Sequence, residues 1–259
     1  MDISETEAAL WIRRFAGTPD ATARLVCFPH AGGAASFFQP VARALAPAAD
    51  VISLQYPGRQ DRRREPVIRS VDEYAARLTA VLGGLPPMPT VYFGHSMGAI
   101  LAFEVAHRLA AAGGGAPASL VASGRRGPAT VREEFVHLLG DDGIIAEVQE
   151  LGGTDTALLD DEEIRRMALP AIRGDFTAIE TYSCPPDRLV PCPVTVFIGD
   201  TDPKVTAEEA RMWRQHTTGA FAMHVYRGGH FFLVEHSADV LTRLRAELAR
   251  VAATHAVRA

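Results

Sequence analysis

At Tyr92 to Gly98 the chain reads YFGHSMG, after the apolar pair Thr90-Val91 and before the alanine-rich run AILAFEVAHRLAAA at Ala99 to Ala112. The left flank is a short apolar strand and the right flank a long helix former, so Ser96 falls at a strand-to-helix junction with a glycine two residues to either side. In that setting G-x-S-x-G describes a sharp, strained turn. Gly94 and Gly98 let strand and helix approach closely, and the serine hydroxyl projects from the sheet edge. The start of the helix adds backbone N–H groups and a positive dipole end beside any oxyanion formed there. A Gly-flanked serine can also be a plain helix cap, and the choice between the two turns on what lies further along the chain.

Outward from this junction, short apolar runs recur: RLVCF (Arg24 to Phe28), VISLQY (Val51 to Tyr56), TVYFG (Thr90 to Gly94), SLVAS (Ser119 to Ser123), VTVFIG (Val194 to Gly199) and FAMHVY (Phe221 to Tyr226). Most are spaced by helix-like segments. Ser70 to Glu73 and Thr206 to Glu209 are capping-box patterns that open two of these helices. Continuous apolar strands alternating with helices predict a doubly wound α/β domain with a mostly parallel central sheet covered on both faces.

About 70 residues separate SLVAS from VTVFIG, far more than a crossover needs. A helical lid is therefore expected over residues 125–185, inserted into a core formed by residues 1–124 and 186–259. Val131, Phe135, Leu138 and Leu139 recur at helical spacing, as do Ile164, Ala168, Ile172, Phe176 and Ile179, with Pro170 placed to kink or divide the second helix. The Gly-rich piece at Ala110 to Ser119 reads as a helix end and loop.

A serine nucleophile needs a base, and the base an orienting acid. GDTDP follows the strand VTVFIG, and RGGHFFL follows FAMHVY, so Ser96, Asp202 and His230 stand in the chain order Ser, Asp, His of the α/β-hydrolase arrangement. All three lie at the carboxyl ends of parallel strands, where such sheets carry their sites. Asp200, two residues earlier, is the rival acid. His95 is expected to point away from the serine. A second oxyanion donor is expected from FPHAGGAASFF, after the first central strand, with the N–H of Ala31 beside that of Met97 and Gly32 as the alternative.

The 259 residues are 47% hydrophobic and 22% charged, enough to bury a substantial core, and the formal net charge of −5 gives no general attraction to nucleic acid or anionic membrane. MDISETEAALWIRRF lacks the basic-then-apolar order of a signal peptide, and no apolar run approaches the roughly 20 residues of a membrane span. A cytoplasmic monomer is expected. Cys27, Cys184 and Cys192 are odd in number and show no metal-binding spacing, so they read as buried or incidental thiols.

Taken in order, CFPHAGGAASFF, QYPGRQDR, YFGHSMGAILAFEVA, FIGDTDPKVT and RGGHFFL resemble the type II thioesterases that accompany polyketide synthases and nonribosomal peptide synthetases. The resemblance spans nearly the whole chain and is more specific than G-x-S-x-G alone. It implies hydrolysis of acyl groups from the phosphopantetheine arm of acyl or peptidyl carrier proteins through an acyl-Ser96 intermediate, with no metal or other cofactor. The lid would then limit acyl length, with Phe135, Leu139, Met167, Ile172 and Phe176 as lining residues. Arg59, Arg62, Arg63 and Arg64, set against Asp61 and Glu65 in GRQDRRREP, carry four minus two, or +2, and would meet an acidic carrier or the pantetheine phosphate. A carboxylesterase or acyltransferase of the same fold, or a scaffold without activity, are the competing readings.

Overall fold

The computed structural model describes residues 5–152 and 161–258. Seven strands form one sheet: β1 (Ile12–Arg13), β2 (Arg24–Phe28), β3 (Asp50–Leu54), β4 (Thr90–His95), β5 (Ser119–Ser123), β6 (Val194–Gly199) and β7 (Phe221–Tyr226). Their spatial order is β1-β3-β2-β4-β5-β6-β7, and every neighbouring pair is parallel except β1 with β3. The helices are α1 (Glu5–Trp11), α2 (Gln39–Leu45), α3 (Val71–Gly83), α4 (Met97–Ala111), α5 (Asp141–Leu151), α6 (Glu162–Glu180), α7 (Ala207–Arg211), α8 (Phe232–Glu235) and α9 (Ser237–Arg258). The six expected strands form. β1 was not expected, because two residues carry no readable period.

Strands β2, β3 and β5 are buried along their whole length, which is why they read as unbroken apolar runs. Alternate residues still sort to opposite faces. Val26, Phe28, Ile52, Tyr92 and Leu120 pack with Tyr74, Leu78, Leu101 and Val105 of α3 and α4. Leu25, Cys27, Val51, Phe93 and Val121 pack with Ala42 of α2 and Leu244 and Leu248 of α9. Both faces are thus covered. All three cysteines are free and buried. Of the two capping boxes, Thr206 forms both reciprocal bonds with Glu209, whereas the Ser70 side chain makes no cap bond at the start of α3.

Between β5 and β6 lie α5 and α6, which hold a small apolar cluster of their own made of Val136, Ile144, Ile145, Val148, Leu169, Ile172 and Phe176. Of the lid expected at 125–185, residues 153–160 lie outside the described ones, as do residues 1–4 and 259 of the expected core. Pro170 does not divide α6, which runs unbroken over nineteen residues. The stretch Val131 to Leu139 corrects a second expectation. Only Val136–Leu138 forms a helical turn, and Val131 and Leu138 face solvent. The cause is electrostatic: Arg132 pairs with Glu209, and Glu134 with Arg126 and Lys204, so here the charged side chains turn inward and the apolar ones outward.

Candidate active site

Ser96 joins β4 to α4 with φ 53° and ψ −118°, a backbone state that costs a non-glycine residue of order 1–3 kcal/mol and is sustained only by rigid surroundings. Those surroundings are visible. A Cβ on Gly94 would lie 2.2 Å from the Gly98 carbonyl oxygen, and one on Gly98 would lie 2.0 Å from that of Phe28, so β2, β4 and α4 meet backbone to backbone. The Ser96 N–H donates to the Ser123 carbonyl at 2.8 Å. Met97 follows as the first residue of α4, where N–H groups have no helical acceptor.

His230, in the turn after β7, is buried, and its Nδ1 lies 2.9 Å from each carboxylate oxygen of Asp202. Its Nε2 is the nitrogen left for the pocket, which Ser96 and His230 line together. Asp202 Oδ1 also accepts from the Lys204 N–H at 2.8 Å, which fixes the carboxylate. Asp200 is exposed and accepts instead from the Gly228 N–H, so of the two acids Asp202 is the one that meets the imidazole.

Ala31 lines the same pocket. The alternative donor, Gly32, is engaged elsewhere: its N–H donates to Asp175 Oδ2 of α6 at 2.8 Å. Asp175 also holds Arg59 with both oxygens, at 2.7 and 3.1 Å, and accepts from the Tyr74 hydroxyl at 2.7 Å. Arg59 in turn donates to the Gly33 carbonyl at 3.0 Å. Burial and the Asp175 carboxylate raise the Tyr74 phenol well above its ordinary value, so it stays protonated and able to donate. This network ties the inserted helix to the loop that carries Ala31, and no local pattern announced it.

Arg59 is therefore corrected as a carrier or phosphate contact, because it is buried and its fork is filled by Asp175. Arg62 is likewise buried, paired with Glu65 and set over the Trp11 ring; Arg63 and Arg64 alone of the four face solvent. Phe176 lies at the pocket, whereas Phe135, Leu139 and Met167 are 59%, 44% and 46% exposed and do not line it. Ile172 is buried against the Gly32 loop rather than in the pocket. The apolar lining comes instead from Val148, Leu151, Ile179 and Phe231.

Two further imidazoles stand close by, His30 lining the pocket and His95 behind it. His95 turns from the serine, with Nδ1 3.0 Å from Ser123 Oγ and its ring 4.9 Å from that of His230. Gly124 is required there, since a Cβ would lie 2.6 Å from His95 Cε1 and 3.3 Å from His230 Cε1. His30 is enclosed by Phe37 and Phe231, and burial, then His230 and Arg59, lower it to about 3. Burial, followed by the neighbouring imidazoles of His230 and His30, holds His95 well below its ordinary value too. An unfolded histidine titrates near 6.5. Between about 6.5 and 3 the unfolded chain takes up a proton that folded His30 refuses, so stability present at neutral pH is lost as pH falls through that window. At pH 5 His30 alone should cost about 2 kcal/mol relative to pH 7. Urea unfolding at the two values checks this, and His30→Gln should show the shallower decline.

A mostly parallel sheet covered on both faces, with a serine on a strained strand-to-helix turn, defines an α/β hydrolase. The chain belongs to the thioesterase family, whose Thioesterase domain model matches residues 23–248. It is 55% identical over 241 residues to a "Probable cadicidin biosynthesis thioesterase" of Streptomyces griseus, covering 93% of this chain and 66% of that protein, just under two thirds of its length. It is 45% identical over 233 residues to "Thioesterase PikA5" of Streptomyces venezuelae, covering 88% and 81%. Among solved structures, the type II thioesterase BorB from the borrelidin biosynthetic cluster superposes with a TM-score of 0.87 at 46% identity, covering 92% of this chain and 98% of that one. The likeness to type II thioesterases read from the motifs thus holds in both sequence and fold. Among the described residues no helix is long and apolar enough to cross a membrane.

Proposed function

We propose that this protein is a cytoplasmic thioesterase that clears acyl groups from the phosphopantetheine arms of acyl or peptidyl carrier proteins serving a polyketide or nonribosomal peptide synthase. The observation that carries the reading is the Asp202–His230 pair set beside Ser96 in one pocket. Ser96 Oγ attacks the thioester carbonyl while His230 Nε2 takes its proton, and the Met97 and Ala31 N–H groups receive the developing oxyanion. The C–S bond then breaks and the proton passes from His230 to the departing thiol. Water, deprotonated by His230, attacks the acyl-serine, releases the carboxylic acid and restores the hydroxyl. Asp202 holds the imidazole tautomer and stabilises its charged form. Each turnover consumes one thioester and one water and yields one acid and one thiol, with no metal or cofactor in the sequence of steps.

The segment at 125–185 acts in this reading as the lid, with Phe176 and Ile179 beside the acyl chain. The relatives in antibiotic biosynthesis support a carrier protein as partner, and a monomer suffices because the residues of the triad and both oxyanion donors come from one chain. Mass spectrometry of acylated carrier proteins, before and after exposure to the enzyme, should show loss of the acyl mass and return of the free thiol. Faster cleavage of matched oxygen esters than of thioesters would replace this reading with that of a carboxylesterase.

A further inference from the structure

His30 lies two residues past the end of β2, directly before Ala31, and lines the pocket together with Ser96 and His230. It is 6% exposed. A neutral imidazole carries one N–H donor and one bare acceptor, and both are costly to bury unpaired. Among the described residues nothing hydrogen-bonds to either ring nitrogen of His30, and Nδ1 is fully enclosed. Phe37 and Phe231 meet the ring at right angles, with centroids 4.7 and 4.8 Å away, and offer it no partner. His30 and His230 are near neighbours, since both contact the rings of Phe231, at 4.8 and 5.3 Å, and of His95, at 5.8 and 4.9 Å. The charged side chains that also line the pocket, Arg125, Glu134, Glu180 and Lys204, are engaged. Glu134 pairs with Arg126 and Lys204, Glu180 with His137, and both carboxylates act on the Arg125 charge. The His30 ring has no such engagement.

Deacylation asks something of this pocket that acylation does not. Water brings two O–H groups: one proton goes to His230 Nε2, and the other needs an acceptor while the oxygen lone pair faces the acyl carbon. A water held by one partner alone is free to swing, and orientation is what the step requires. Burial, then the charges of His230 and Arg59, lower His30 to about 3, so at neutral pH it stays an uncharged ring with a bare nitrogen. No hydrogen bond to a described residue fixes its tautomer. Resting on the acyl-Ser96 reading above, we propose that His30 positions the hydrolytic water, accepting a hydrogen bond from one O–H while His230 removes the other proton, and so directs the acyl-enzyme to hydrolysis. The oxygen–carbon bond forms as one O–H breaks to His230 Nε2. The C–O bond to Ser96 then breaks, the proton returns from His230 to Ser96 Oγ, and the carboxylic acid leaves with the second proton still on its oxygen. His30 is unchanged throughout.

The test reads the two half-reactions of butyryl-pantetheine separately, acylation as released thiol and deacylation as loss of the acyl mass from quenched protein. His30→Phe should slow deacylation by roughly 10²-fold while acylation stays within about threefold, so that acyl-Ser96 accumulates, and His30→Gln, which keeps an acceptor, should recover most of the loss. Methanol supplies a second signature, because an alcohol has a single O–H and needs only His230. In His30→Phe the ratio of methyl ester to acid should therefore rise by about the factor that hydrolysis loses. Equal slowing of acylation and deacylation overturns the proposal by making His30 a prop for the Ala31 loop, and an unchanged deacylation rate or ester-to-acid ratio overturns it as well. Both results leave the hydrolase reading standing, whereas a wild-type protein that never acquires an acyl mass on Ser96 overturns that reading and this proposal together. Should His30→Phe fail to fold, a crystal structure of wild-type protein carbamoylated at Ser96 by an aryl carbamate decides. A water within hydrogen-bond distance of both His230 Nε2 and a His30 ring nitrogen supports the proposal, and a water bound to His230 alone, or none there, overturns it.

Discussion

Ser96→Ala is expected to lower thioester turnover by roughly a million-fold, with substrate still bound. The size follows from how the three groups act together. Without the hydroxyl there is no acyl-enzyme, and the Asp202–His230 pair has no alcohol to deprotonate. What remains is binding and the N–H groups at the start of α4, worth on the order of 10³–10⁴ over water. His230→Ala should fall nearly as far, and Asp202→Asn by roughly 10⁴-fold, because the amide leaves the wrong tautomer at His230. Single-turnover assays on an acyl-pantetheine, together with labelling by a serine-directed fluorophosphonate, check the set. Labelling of Ser96→Ala as strong as that of the intact protein would remove Ser96 from the mechanism, and an intact protein that neither labels nor hydrolyses would be a scaffold.

Asp175→Asn carries the second large effect, on stability first and catalysis second. The carboxylate is buried against Arg59, Tyr74 and the Gly32 N–H, so its neutral isostere leaves the Arg59 charge buried without a counter-charge. The expected cost is about 3–5 kcal/mol, visible as a lower urea midpoint. The Gly32–Gly33 loop should loosen with it. Misplacing one oxyanion donor costs up to roughly 10²–10³ in kcat, so a fall of about tenfold or more is expected for a donor that is displaced rather than lost. The double change Arg59→Met with Asp175→Leu separates the two consequences. Removing both charges should restore much of the stability. It should not restore kcat, because the Gly32 N–H and the Gly33 carbonyl still lose the groups that hold them. Recovery of kcat along with stability would mean that the network serves folding alone.

These two experiments divide the molecule along the line between what was legible in the chain and what was not. Strand burial is written in contiguous residues, and so is the turn at Ser96, where Gly94 and Gly98 mark the close approach that the backbone makes. The order of Ser96, Asp202 and His230 was readable because each ends a strand of recognisable composition. The α/β-hydrolase pattern, which places the acid three residues after the strand-ending glycine, favours Asp202 over Asp200, and it is Asp202 that reaches the imidazole while Asp200 binds the Gly228 N–H.

Side-chain partners far apart in sequence were not readable. Arg59 looked like a solvent-facing cation because its neighbours are charged, yet its partner Asp175 is 116 residues away. Glu134 and Arg132 sit in a stretch whose apolar spacing imitates a helix, and their ion pairs with Arg126, Lys204 and Glu209 turn that stretch over. Phe135 and Leu139 left the pocket for that reason, and Arg125 entered it with no local signal. The sheet, its two-sided core and the strained serine turn are written in contiguous residues, because they follow from short-range sterics and from the alternation of side chains along a strand. Which charges meet, and with them the pocket lining and the anchoring of the Ala31 loop, is set by the folded chain, because the pairing of buried charges depends on which distant segments the packed sheet brings within a few ångströms.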